Sequence, residues 1–368
     1  MKKLFSVMAM AMLILSVMPV VLGTDVGVGV GVEIITEDYA PNIWACGART
    51  VLDDNTQPGR DNDSTLEERE NNYFFEGEQI VTNVLVKDKN GIQKISDVFA
   101  TLGDVQGAGN DIEVNCVREV GIPGNLGTAV NGGANGENLP AACNARILEE
   151  TLTTFDASTE AFYTCTFTVE TADSHYGEYW YTVEAEDLDG ETTTMDENEY
   201  WFLNPVIALS IDGDLTFDNV RPGTQSYSQT LLVGNDADDG SGVLLDMFIS
   251  GTDFYDSASS GAACPTTNQL ALTNFDYYAT SGAFSTANDA RSDNESYVAI
   301  LPATGFHNPN NFYGLHEVIR TDAAAANYSP GNVLTPGSEL AVTFRLSLPE
   351  PCNGDFDTGS INFWGEAI

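Results

Sequence analysis

Three short acidic runs hold the residues best suited to chemistry: Asp187-Leu188-Asp189-Gly190-Glu191, Asp212-Gly213-Asp214 and Asp236-Ala237-Asp238-Asp239. Each places carboxylates at i and i+2 around what reads as a turn. A hard cation such as calcium takes about six to eight oxygens at roughly 2.3–2.6 Å, and alternating carboxylates on a turn supply some of them. None of the runs completes an EF-hand loop, which also needs a distal glutamate. Asp187, Asp189, Glu191, Asp212, Asp214, Asp236 and Asp238 are the candidate calcium ligands. The plainer reading is that Asp-x-Asp-Gly closes a hairpin.

Catalytic signatures are scarce. The chain has 3 histidines, His175, His307 and His316. His307 and His316 flank an Asn/Pro-rich loop and read as surface residues. No G-x-S-x-G, H-E-x-x-H or P-loop pattern occurs. A glycosidase needs only two carboxylates, so a secreted hydrolase is the remote alternative, but nothing singles out a pair. The expectation is a protein that is not an enzyme. Aromatic clusters at Tyr176–Tyr181 and Tyr200–Phe202 offer ring faces for sugar stacking, or else one core face and one cover for a domain junction.

Six cysteines stand at Cys46, Cys116, Cys143, Cys165, Cys264 and Cys352, with no C-x-x-C pair. An even count in an exported chain favours disulfides over zinc. Cys264 and Cys352 are alone in the second half and are expected to pair. A Cys116–Cys143 bridge would pinch off the Gly/Asn-rich excursion 121–139, which reads as too polar to pack a core. That preference leaves Cys46 with Cys165.

The elements that must position these residues are strands. Helical periodicity is nearly absent, and short alternating apolar runs are separated by Asp, Asn, Gly and Pro. The first half reads as strands near 43–52, 79–87, 95–102, 112–118, 162–170, 178–186 and 199–203, an immunoglobulin-like β-sandwich over 37–205. Asn204-Pro205 marks a boundary, the proline biasing Asn204 towards extended backbone. The second half reads as strands near 206–211, 215–217, 226–233, 243–249, 275–279, 297–301, 340–348 and 360–364, a jelly-roll-like β-sandwich over 206–368. The fold class expected is all-β.

Residues 1–23 read as a signal peptide: Lys2 and Lys3, an apolar run from Leu4 to Leu22, and Gly23 at the cleavage point. An uncleaved anchor is the competing reading, since the run nearly suffices to span a bilayer. Cleavage would leave no stable membrane span and an extracellular or cell-surface chain. Three N-glycosylation sequons start at Asn62, Asn294 and Asn327. With 55 acidic against 14 basic residues, the formal charge is −41. Such a field repels nucleic acid and anionic lipid and suits a cation-rich exterior.

Residues 24–36 hold the run Val26-Gly27-Val28-Gly29-Val30-Gly31-Val32-Glu33-Ile34. As a strand, it puts Val26, Val28, Val30, Val32 and Ile34 on one face and leaves the other nearly bare. It could be the first strand of its own domain, a strand given to another copy, or a tether. Burying five such side chains is worth ~8–15 kcal/mol before entropy, whichever sheet receives them.

Leu215-Thr216-Phe217-Asp218-Asn219-Val220-Arg221-Pro222-Gly223, followed by Tyr227–Val233 and Gly234-Asn235, resembles the opening of the jelly-roll domain of TasA/camelysin-type secreted fibre subunits. The general style is similar to archaeal cell-surface proteins. The resemblance implies fibres built by passing an N-terminal strand to the next subunit. The extra domain between that strand and the jelly roll is a departure. The function expected is a secreted, self-associating subunit of an extracellular fibre or surface array, whose partners are copies of itself or other surface proteins. The alternative is a monomeric adhesin or carbohydrate-binding protein.

Overall fold

The computed structural model describes residues 38–52, 67–105, 112–123, 126, 138, 139, 143, 152, 154–195, 199–217, 220–303, 314–320 and 329–368. The expected signal peptide, the Val/Gly run, Asn62, His307 and Asn327 lie outside the described residues. The chain divides into two compact units, Met1–Glu37 and Asp38–Ile368.

Two sandwiches make up the second unit. The first contains β1 (Asn42–Leu52), β2 (Glu67–Glu70), β3 (Tyr73–Phe74), β4 (Gln79–Lys87), β5 (Ile95–Gly103), β6 (Ile112–Asn115), β7 (Val117–Arg118), β8 (Glu160–Thr168), β9 (Gly177–Asp187), β10 (Thr192–Met195) and β11 (Tyr200–Leu203). One sheet has the order β2-β1-β4-β8-β7; the other runs β3-β11-β9-β5-β6, with β10 also paired to β9. Alternation explains how they face each other. In β9, Tyr179, Tyr181, Val183 and Ala185 point inward while Glu178 and Glu186 stay exposed. Tyr181 stacks on Trp201 at 5.0 Å, and Phe167 meets Trp201 edge-on at 6.1 Å.

Strand β4 is buried on both faces, because a second small core covers the outside of its sheet. Trp44, Cys46, Leu85 and Phe162 form its floor; Ile122, Leu126, Leu139, Leu152 and Phe155 form its roof. This corrects the expectation that 121–139 is too polar to pack. Its few apolar residues suffice because the sheet already presents a broad apolar floor.

The second sandwich contains β12 (Leu209–Asp212), β13 (Gln225–Asn235), β14 (Leu245–Gly251), β15 (Phe254–Tyr255), β16 (Gln269–Leu270), β17 (Phe275–Ser281), β18 (Phe284–Ser285), β19 (Val298–Ala299), β20 (Val333–Leu334), β21 (Glu339–Ser347) and β22 (Ile361–Ala367). A sheet ordered β12-β13-β21-β17-β18, with β19 on β17, accompanies a smaller sheet β20-β14-β22 and the pair β15-β16. Val233, Val342, Phe344, Tyr277, Met247 and Ile249 lie in its core. Residues 215–217, expected as a strand, are irregular. Phe217 instead tucks against Phe275 with ring centroids 5.9 Å apart.

Three disulfides close the body: Cys46–Cys143, Cys116–Cys165 and Cys264–Cys352. The preferred Cys116–Cys143 and Cys46–Cys165 pairing is therefore corrected. The reason is strand alternation. On β1, Ile43 and Ala45 belong to the inter-sheet core, while Trp44 and Cys46 belong to the outer one. On β8, Cys165 joins Tyr163 and Phe167 in the inter-sheet core. Cys46 and Cys165 thus point to opposite faces of one sheet, on strands separated by β4. Cys116 lies where the chain crosses from β6 in one sheet to β7 in the other, packed against the inter-sheet core, and so meets Cys165.

The two sandwiches are joined by packing and hydrogen bonds. Tyr73 and Phe202 from the first complete the core of the second. Tyr73 Oη and Asn71 Nδ2 donate to the Ile368 carbonyl at 2.5 and 3.3 Å. Asn204, expected to be extended, has φ +51°, in the left-handed region. Its Nδ2 donates to the carbonyls of Glu170 and His175 at 2.9 and 2.7 Å, which holds this turn despite the following proline.

Candidate functional site

The three acidic runs do not converge. Asp187 is buried at the end of β9, and its Oδ1 accepts the N–H groups of Asp189 and Glu191 at 2.9 and 2.8 Å. That is an Asx-type turn, the hairpin closure of the plainer reading. Asp189 is paired with Lys94. Asp212, Asp214 and Asp236 are exposed. Asp238 belongs to the inter-sandwich junction: its Oδ2 accepts Tyr176 Oη at 2.8 Å and the Val206 N–H at 2.9 Å. Among the described residues, no three of His, Cys, Asp and Glu are grouped to hold a metal ion.

Sequence reasoning passed over a buried acid beside the first run. Asp88, in the turn after β4, is 0% exposed. Its Oδ1 accepts the Asn90 N–H, and its Oδ2 has no hydrogen-bond partner. Burial, with the nearby charges of Asp187 and Asp189, pushes its carboxyl above the usual range, against the opposing pull of the Asn90 N–H and, more weakly, of Lys94. Lys87-Asp88-Lys89-Asn90-Gly91 carries an Asn-Gly turn signal, but nothing in that sequence says that its aspartate faces inward.

The two described histidines, His175 and His316, have structural placements. His316, expected at the surface, is buried; its Nδ1 lies 3.1 Å from the Ile249 carbonyl, and burial lowers its pKa. The neighbouring residues Glu317 and Val318 bond to β14, which draws the ring inward. His175 sits 5.6 Å from the Tyr179 ring, at the junction turn.

A dense polar constellation lies on the outer face of the larger sheet of the second sandwich. Arg345 of β21 stands between Tyr227 of β13 and Asp276 of β17 in register. Its guanidinium donates to Asp276, Asp293 and Glu295 at 2.6–2.8 Å. The Tyr297 ring lies over it, 4.5 Å from Cζ to centroid. Tyr227 and Tyr278 flank Tyr297 at 5.9 and 6.0 Å, inclined by 53° and 46°. The turn that carries Asp293, Glu295 and Tyr297 is fixed by Asp293 Oδ1, which accepts the N–H groups of both later residues. Asn294 of the sequon is exposed on this turn. The outward alternation of Tyr227 and Tyr278 along their strands was the available signal. Tyr297 comes from a loop and gave none.

Of the two readings of the aromatic clusters, the geometry matches the core face and the junction cover: Tyr179, Tyr181 and Trp201 are core, Tyr176 packs edge-on against Phe202 at the junction, and Trp180 meets Tyr200 at 5.7 Å on the outside.

No protein-family model and no curated protein matches the chain. Among solved structures, the C-terminal domain of the AgI/II polypeptide BspA from Streptococcus agalactiae is similar over 89% of this chain and 97% of that one, at 11% identity and a TM-score of 0.29. A DUF4466 family protein from Parabacteroides merdae is similar over 85% of this chain and 100% of that one, at 8% identity and a TM-score of 0.22. Likeness at this level assigns the chain neither a family nor an activity.

Proposed function

We propose that this protein is an exported structural subunit of the cell exterior that self-associates into a fibre or surface array. The carrying observation is the division of the chain at Glu37/Asp38. Two sandwiches, joined at a hydrogen-bonded junction, make one compact unit that begins at Asp38. The Val/Gly run, outside the described residues, has the alternating pattern of a strand with one apolar face, and donation to a sheet of another copy is the burial proposed for it. Three disulfides support an oxidising compartment, where small β domains are commonly closed in this way. The acidic surface supports a partner of the same kind in a salty exterior, since screening then removes most of the repulsion between copies.

Electron microscopy of the purified mature protein at 0.1 M salt and above tests this reading. Filaments or ordered sheets are expected. Dispersed single particles at every salt and protein concentration would reject it.

A further inference from the structure

We propose that the tyrosine cluster on the outer face of the second sandwich is a saccharide-binding site for glycans bearing free amino groups. This goes beyond the assembly reading and does not depend on it.

The shape and chemistry of the face carry the proposal. Tyr227 is 51% exposed although it lies in a regular strand. It stands beside half-buried Tyr297 and Tyr278, within ring-contact distance. The next positions along the same face are Thr230 and Thr343, whose hydroxyls meet at 3.1 Å. Three rings are therefore set among hydroxyls and carboxylates. A sugar ring, with a small C–H face and a rim of donors, matches such an arrangement, and tyrosine supplies both a ring face and a polar tip.

Charge selects among sugars. Asp276, Asp293 and Glu295 surround the single cation Arg345, whose donors they take. The carboxylates outnumber it, and Glu295 and Asp293 have side chains 59% and 41% exposed. An ammonium group arriving over Tyr227 would meet an aromatic face and carboxylate acceptors together. A uronic acid would meet repulsion.

The test is calorimetric titration of the full mature protein with a chitosan tetramer, with cellotetraose and tetragalacturonate as neutral and anionic comparators. The chitosan tetramer is expected to bind, cellotetraose more weakly, and tetragalacturonate not at all. Tyr227→Ala should weaken binding about tenfold, the scale of an exposed aromatic anchor. Glu295→Gln should also weaken it. This variant changes one of 55 acidic residues, so a general attraction of a polycation to an acidic protein would leave its binding unchanged. Both positions are exposed, and unchanged melting of the variants shows that the fold is retained. The proposal falls if the chitosan tetramer does not bind, if both variants bind it like the parent, or if tetragalacturonate binds as well. Loss of self-association in Tyr227→Ala without saccharide binding to the parent would assign the face to a protein contact and likewise overturn it.

Discussion

At the scale of single residues, two buried aspartates, Asp289 and Asp88, respond to acid in opposite senses. Burial alone would raise the Asp289 carboxyl, but the Arg291 guanidinium and the backbone N–H groups of Arg291 and Arg320 outweigh it and hold the carboxyl below the usual range. A depressed carboxyl stabilises the fold above its unfolded-chain pKa of about 4, and that contribution is lost as pH falls through the lower folded value. Asp88 is the reverse case. Its raised carboxyl means that the folded state takes up a proton first, so the fold gains as pH falls from neutrality through that pKa. Asp88→Asn should therefore stabilise the protein at pH 7 by removing a buried charge, on the order of 1 kcal/mol, the size of a typical single-site effect. The advantage over the parent should shrink as pH falls through the raised Asp88 pKa. Thermal melts of both proteins between pH 7 and pH 3 measure this; an unchanged or lower melting temperature at pH 7 would contradict the assignment. In Asp289→Asn the unfolding below about pH 4 should lose part of its pH dependence, read from the same melts.

At the scale of elements, the disulfides set the expectations. Reducing or substituting Cys264–Cys352 should cost roughly 2–4 kcal/mol, read as a lower denaturant midpoint for the second sandwich. Mass spectrometry of non-reduced peptides should find Cys46 with Cys143 and Cys116 with Cys165; peptides joining Cys46 to Cys165 would contradict the fold of the first sandwich. Most strands were legible because alternation is a local property: β4, β5, β9, β13 and β21 follow directly from their apolar periods. The pairing of Cys46 was not. It depends on which face of a sheet each cysteine occupies and on a roof of Ile122, Leu126 and Leu139 scattered through polar sequence. Asn204 is a similar case. The rule for residues before proline pointed to extended backbone, and two side-chain hydrogen bonds reversed it. The acidic turn at Asp187 was legible as a turn, whereas Asp238 at the junction could be found only with its partners Tyr176 and Val206 in place. Removing that clamp with Asp238→Ala, or the Tyr73 hydroxyl with Tyr73→Phe, should cost on the order of 1 kcal/mol each and loosen one sandwich from the other. Faster hydrogen exchange at residues 204–207 and 236–242 is the readout for Asp238→Ala.

At the scale of the whole molecule, the question is where the apolar face of Val26, Val28, Val30, Val32 and Ile34 is buried. The two sandwiches bury their own cores within the unit Asp38–Ile368. The ~8–15 kcal/mol available from that strand would hold two copies together nearly permanently if a neighbouring sheet received it. A variant lacking residues 24–36 should then remain folded, with its disulfides and melting temperature retained, and should form no filaments or sheets under the microscope. Val28→Asp with Val30→Asp should act in the same way without shortening the chain, because each change would bury an unpaired charge in the receiving groove. The two variants together separate the readings of the strand. Unfolding of the truncated protein would place the strand in its own domain. Normal assembly by both variants would make it a tether, and the contact between copies would have to be sought on another face of the body. Loss of assembly with an intact body, restored by adding a synthetic peptide of residues 24–36 joined to a second copy, is the outcome that a donated strand requires.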